Sequence, residues 1–355
     1  MNEHQESSAR EKAFKGRGLT EWMLDEFTMS NGILRPILDE VLREGSGLEL
    51  EIRHRYVNIY YRGGNLMRIR QTGRSGHPQV LVAEFDKRYL ERDKAQQASW
   101  KYLEVLGSHE LTSSEGARMH IDSFDARRAI IDVWPKGERA AQQEIVRVNN
   151  AIDSEYLICD IEHAVSHPHP PGKPGKRANK SSRIDLVAVY RPYPGAEGAP
   201  ARLALIELKD GVGAVDGTDG LRDHVADLQM WLSKPGSLSA LTSEMGRIMV
   251  QKHRLGLVPA AIERFDDSAA VDYIIAVVNH NPHSQRLRDA ILGRDKLGDE
   301  PMSLEGFDVK IAIVGDDHVL RHDTLIPLDS ITKKNVPLQI FDGTLRDRRL
   351  RATER

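Results

Sequence analysis

Two stretches decide the reading of this chain: Arg183-Ile-Asp-Leu-Val-Ala-Val-Tyr190 and Ala201-Arg-Leu-Ala-Leu-Ile-Glu-Leu-Lys209. Both read as strands, and they carry Asp185, Glu207 and Lys209 on otherwise apolar segments. Burying a charge is costly unless it is paired or put to use. A strand alternates its faces with a period of two, so Glu207 and Lys209 project to one side while Ile206 and Leu208 enter a core on the other. Two acids and a lysine then converge at one end of a sheet.

Working outward, Ala141, Ile145, Val148 and Ile152 fall at helical spacing from Glu138 onward and predict a helix with one apolar face. It leads into a strand over Tyr156 to His163, a loop rich in Pro, Gly and Lys from His167 to Ser182, and then the two strands above. Asp219 reads as the cap of a helix whose Leu221, Val225, Leu228 and Leu232 share a face, stopped by Pro235 and Gly236. A second helix is expected over Leu238 to His253. Val271 to Val278 is apolar throughout, as a central parallel strand would be. Ser284 to Leu292 reads as a helix and Val309 to Val314 as a strand, so residues 131–340 form one α/β domain. The remainder, 341–355, is a basic tail with Arg346, Arg348, Arg349 and Arg351, read as solvated.

Upstream, Leu48, Leu50 and Ile52 alternate with acids, Val57, Ile59 and Tyr61 continue the period of two, and Arg62-Gly-Gly-Asn65 supplies a hairpin signal. Leu66 to Arg70 is the return strand, Gly73 to Pro78 a turn, Val80 to Phe85 a further strand, and Lys94 to Val105 a helical stretch. Residues 1–130 are therefore expected to form an α+β domain of recognition or regulation. Its Tyr56, Tyr60 and Tyr61 interleave with Arg53, Arg55, Arg62, Arg68 and Arg70, which suits either a surface gripping nucleic acid or an ordinary sheet with tyrosines partly in its core.

The 355 residues suffice for two domains with real cores. A net charge of −3 excludes a globally basic nucleic-acid coat and leaves local basic patches open. The single cysteine, Cys159, cannot form an internal disulfide, and Tyr156-Leu-Ile-Cys-Asp-Ile161 has the look of a buried strand rather than a nucleophile site. No apolar run reaches the roughly 18 residues of a membrane span. A cytoplasmic protein without a membrane partner is expected.

The order helix, three strands, helix, strand, with Asp in the second strand and Glu-x-Lys in the third, resembles the PD-(D/E)xK nuclease superfamily over roughly residues 138–280. The resemblance implies an α/β fold with a restriction-endonuclease-like core, a central mixed sheet flanked by helices, following the N-terminal α+β domain. It implies Mg²⁺-dependent hydrolysis of phosphodiester bonds, with Mn²⁺ able to substitute, by an endonuclease acting on DNA in restriction or phage defence. Asp185 and Glu207 would be metal ligands, the Leu208 backbone carbonyl a third, and Lys209 the residue on the side of the attacking water. Glu144, beside the apolar stripe of the first helix, would face the metal, and Gln229 on the second helix would contact substrate or support the ligands. Where related Gln-x-x-x-Tyr patterns have tyrosine this chain has Ser233, and Ile184 replaces the proline before the Asp.

Further readings attach to this frame. Lys173, Lys176, Arg177, Lys180 and Arg183 precede Asp185, which suits either a loop reaching phosphates beside the site or a solvated flexible loop. His163, His167 and His169 bring zinc to mind, but Pro168, Pro170 and Pro171 interrupt them and no Cys completes a set. Asp160 and Glu162 could add a ligand or line a solvent-facing strand side. Gly211 to Gly220 has neither a phosphate-loop lysine nor dinucleotide-loop spacing and reads as a connector. A homodimer would pair two sites for double-strand cutting. The alternative is a catalytically inactive nuclease-like module that binds nucleic acid or protein.

Overall fold

The period-two pattern around Leu48 forms β1 (Leu48–Ile52), followed by β2 (Tyr56–Tyr61), β3 (Gly64–Thr72), β4 (Val80–Glu84) and β5 (Ser108–Leu111), an antiparallel sheet in the order β1-β2-β3-β4-β5. The computed structural model describes residues 16–73, 79–86, 88–89, 107–168, 179–192, 201–211, 215, 220–262, 265–266, 271–293, 302–304 and 307–343. The expected helix at Lys94 to Val105, the turn residues 74–78 and the arginines of the tail lie outside these. Contacts divide the chain into two units, Met1–Gln143 with Ser243–Glu263, and Glu144–Thr242 with Arg264–Arg355. A boundary drawn at residue 130 does not foresee that a segment as late as Ser243–Glu263 belongs with the first unit.

In the first unit one sheet face carries Leu50, Ile52, Val57, Ile59, Ile69 and Leu81, packed with Met23, Leu24 and Phe27 of α1 (Glu21–Thr28) and Ile37, Leu38 and Val41 of α2 (Arg35–Leu42). Thr20 caps α1 by accepting a hydrogen bond from the Met23 amide. Both helices are 8 residues long, shorter than the window over which helical periodicity declares itself, and the sequence pattern does not announce them. Two further helices, α3 (Ser114–Asp122) and α4 (Phe124–Asp132), add Ala117, Phe124, Ile130 and Ile131 to the core. At the β2–β3 hairpin Arg62 and Gly63 both have positive φ, 45° and 72°, as a primed two-residue turn requires. Gly63 has no substitute there, since a Cβ would come within 2.6 Å of the Ala140 nitrogen.

The acids alternating with Leu48, Leu50 and Ile52 are not solvated. Glu49 and Glu51 are both buried, and Glu51 Oε1 accepts from Lys252 Nζ at 2.8 Å with both side chains fully enclosed. Four of the five arginines named for the hairpin lie beside acids of the same unit: Arg53 by Glu51, Arg62 by Asp132, and Arg68 and Arg70 by Glu84. Arg68 also lies over the Tyr56 ring and Arg62 over Tyr61. These pairings favour the ordinary-sheet reading of that surface.

The second unit begins within α5 (Gly137–Asn149). Its buried residues include Ala141, Ile145 and Val146, with Asn149 also enclosed, whereas Ile152 lies beyond the helix and is exposed. The apolar stripe is thus one turn shorter than the spacing suggested. There follow β6 (Tyr156–Pro168), β7 (Asn179–Tyr190), β8 (Arg202–Asp210), α6 (Leu221–Leu232), α7 (Ser237–Arg254), β9 (Val271–Val278), α8 (Arg286–Leu292), β10 (Phe307–Ile313) and the short β11 (Ile326–Pro327). They form a mixed sheet in the order β11-β10-β9-β8-β7-β6. β6, β7 and β8 pair antiparallel, and β8, β9 and β10 pair parallel. Parallel pairing of β8 with β9 needs a long crossover, which α6 and α7 supply. As its unbroken apolar run predicts, β9 is interior, parallel and buried almost throughout. Cys159 is buried in β6. The N-cap of α6 is Gly220, with no side-chain cap, and Asp219 falls outside the described residues. Among the described residues no helix is long and apolar enough to cross a membrane.

Removing one partner of an enclosed ion pair strands the other charge. Lys252→Ala is therefore expected to lower the unfolding free energy by about 3–5 kcal/mol, while the double change Glu51→Leu with Lys252→Met recovers most of it; denaturant titration of the three proteins measures the difference.

Candidate active site

β8 is buried on both faces along Leu203 to Lys209, so the two charges within that stretch are largely withdrawn from water. Glu207 is 3 % exposed and Lys209 4 %. Standing two residues apart they share a face, and Lys209 Nζ lies 2.7 Å from Glu207 Oε1. Parallel pairing sets Glu207 beside Ile275 and Lys209 beside Val277, so the pair is walled on that side by apolar β9.

On the opposite edge of β8 the pairing with β7 runs from Tyr190 and Arg202 to Leu186 and Ile206 and stops there. At this parting the Leu208 amide has no β7 backbone partner and instead donates to Asp185 Oδ2 at 2.9 Å. The N–H and C=O of one strand residue point to the same neighbour, so the Leu208 carbonyl faces the same gap. Asp185 is half-buried. The sequence-derived Asp185, Glu207, Leu208 and Lys209 thus meet at one place, held by the point where two strands separate.

α6 lies against β6 and β7 and adds a residue that the sequence reading missed. His224 Nδ1 is 3.0 Å from the same Glu207 Oε1. Both approaches to that oxygen are at ion-pair distance, yet neither is aligned as a hydrogen bond, and Oε1 is shielded from solvent. Burial by itself lowers the pKa of His224, but the Glu207 carboxylate outweighs this and the net shift is upward. Tyr273, fully enclosed on β9, has its hydroxyl pKa raised well above the ordinary value by burial, with Glu207 and Asp185 adding to it. The one sequence signal for His224 was its place in the first turn of α6, three residues past the apolar Leu221.

Other expected site residues are placed elsewhere. Glu144 gives its carboxylate to Arg147, one turn later on α5, which holds its pKa below the usual range; its ion pair is there and not with Lys209. Gln229 is exposed, since five residues of helix turn it about 140° away from His224. Lys180 is not an open phosphate contact: its Nζ donates to both oxygens of Asp227 at 2.8 and 2.7 Å. Arg183 is exposed, with Glu162 3.6 Å away, and shares the face of Asp185 by strand alternation. Lys173, Lys176 and Arg177 lie outside the described residues.

The histidines of β6 are engaged within the chain. His163 Nδ1 is 2.9 Å from Asp160 Oδ2, and Asp160 is fully buried rather than solvent-facing. His167 Nε2 is 2.9 Å from Ser182 Oγ, which donates to Asp227 Oδ2 at 2.6 Å. His169 is outside the described residues. Glu162 takes a left-handed φ of 48°.

The donors suit a hard cation. Asp185 and the Leu208 carbonyl face one gap, and the Glu207 carboxylate, with Lys209 and His224 both against its Oε1, keeps its second oxygen, a set of oxygen donors of the kind Mg²⁺ or Mn²⁺ takes. Among the described residues, no group of three or more His, Cys, Asp or Glu side chains is arranged to hold a metal ion. Comparisons with protein-family models, curated proteins and solved structures return no match.

Asp227 joins β7 to α6 through Ser182 as well as Lys180, and the two partners differ in burial. Asp227→Ala leaves the half-buried Ser182 hydroxyl, on which the enclosed His167 rests, without its acceptor and should cost about 1–3 kcal/mol. Lys180→Ala removes a half-exposed charge worth about 0–1 kcal/mol. Urea midpoints of the two variants give the comparison.

Proposed function

We propose that this chain is a metal-dependent nuclease of the PD-(D/E)xK type, an endonuclease hydrolysing phosphodiester bonds in DNA. The observation that carries the reading is the meeting of Asp185, Glu207, Leu208 and Lys209 where β7 and β8 part. The order α5, β6, β7, β8, α6, β9 supports a restriction-endonuclease-like core in the second unit.

Asp185, Glu207 and the Leu208 carbonyl would hold the cation. A hard divalent ion there, Mg²⁺ with Mn²⁺ able to replace it, would screen the phosphodiester charge and ease ionisation of the attacking water. Lys209 has a compact charge and is walled against apolar β9, the setting in which a lysine orients water, takes its proton or steadies the charge growing on phosphate. Arg183, exposed on the same strand face as Asp185, is the basic residue suited to the DNA backbone.

A second reading has one observation in its favour. Glu207 Oε1 is already met by Lys209 and His224, as it would be in a module that binds nucleic acid or protein without cutting.

Incubation of the full chain with supercoiled, linear and single-stranded DNA in Mg²⁺ or Mn²⁺ separates the two. Cleavage is expected, reduced at least about 100-fold by Asp185→Ala, Glu207→Gln and Lys209→Ala, with folding checked by circular dichroism. Binding without cleavage in either metal favours the second reading, and retained cleavage in both the Asp185→Ala and Lys209→Ala proteins refutes the assignment of the site.

A further inference from the structure

Along α6, His224 and Asp227 stand three residues apart and therefore on one helix face. Each reaches a different strand. His224 Nδ1 lies 3.0 Å from Glu207 Oε1 of β8. Asp227 is tied to β7 by Lys180 Nζ at 2.7 and 2.8 Å and by Ser182 Oγ at 2.6 Å. Behind Ser182 stands His167, whose Nδ1 is in turn 2.8 Å from the Pro168 carbonyl oxygen. A helix rises 1.5 Å per residue, so fixing Asp227 fixes the height of His224 over β8.

Glu207 needs such a support. A glutamate side chain has several rotamers, and a carboxylate that is to hold a cation works when its oxygens are already oriented by a partner outside the coordination sphere. Lys209 touches the same oxygen, but it is the group assigned to the water side and cannot be relied on to hold Glu207 while serving there. His224 comes from a different element, with its imidazole partly enclosed, and can keep its contact whatever Lys209 does.

Resting on the nuclease reading of the site, we propose that His224 is a positioning residue: it holds the Glu207 carboxylate in the orientation in which Glu207 and Asp185 take a divalent cation, and Asp227 keys it into place. His224 is not itself a ligand in this scheme. Its effect passes through Glu207.

The test is isothermal titration of the full chain with Mn²⁺, accompanied by electron paramagnetic resonance of the bound ion and by steady-state cleavage of DNA. His224→Ala should weaken Mn²⁺ binding about 10- to 100-fold and lower kcat with KM for DNA unchanged. His224→Asn, whose amide nitrogen stands where Nδ1 does, should recover most of both. If His224→Ala does not fold, His224→Gln takes its place, its amide one methylene too far. Mn²⁺ binding by His224→Ala equal to that of the parent, while Asp185→Ala loses it, overturns the role of His224 and leaves the nuclease reading standing. Equal losses in the Ala and Asn variants overturn it too. A parent protein and Asp185→Ala that titrate alike would remove the nuclease reading and this inference with it.

Discussion

A carboxylate and an ammonium buried on one face of a strand that is covered on both sides constrain everything around them. Glu207 and Lys209 are each almost wholly enclosed and 2.7 Å apart. Removing either charge takes a close partner from the other inside the core, where an unbalanced charge is costly. Such a pair is weak evidence for stability, since apolar residues of similar volume would serve the core as well. Its presence therefore points to a task, and the placement of β8 between an antiparallel and a parallel neighbour supplies the setting.

That setting comes from topology. β9 closes one edge of β8 along its length, while β7 leaves the other edge after Leu186. A buried amide must find an acceptor, and the Leu208 N–H finds it in Asp185. The strand separation thus does two things with one geometry: it opens a gap beside Leu208 and it brings the Asp185 carboxylate into that gap. α6, packed over β6 and β7, then lowers His224 onto Glu207. The first unit shows the same economy of charge in another form, with Glu51 and Lys252 sealed together and the hairpin arginines matched to acids. Its basic and aromatic residues look like a binding surface in one dimension, and in three Arg53, Arg62, Arg68 and Arg70 lie beside acids.

Much of this was legible residue by residue. Period-two alternation marked β1, β2 and β3, the unbroken apolar run marked β9 as interior and parallel, and charges at fixed places on apolar strands marked Asp185, Glu207 and Lys209. The short helices α1 and α2 were not legible, because 8 residues make barely two turns. Glu144 and Gln229 were placed by analogy of element and position, and the rotation of a helix about its axis, on which such residues depend, is set by packing. Lys180 reads as a free cation in a basic loop; only the approach of α6 to β7 commits it to Asp227.

Local pattern by itself determined which segments are strands and helices and which of them carry charge into a core, because side-chain periodicity and the cost of burying charge are properties of a short stretch of chain. Glu207 and Lys209 meet by the alternation of one strand; which charges meet from different elements was decided by tertiary structure. The distance from Asp185 to the Leu208 amide depends on where β7 leaves β8, and the contact of His224 with Glu207 depends on how α6 is laid across the sheet; both are set by pairings between segments far apart in sequence, and no local pattern encodes them.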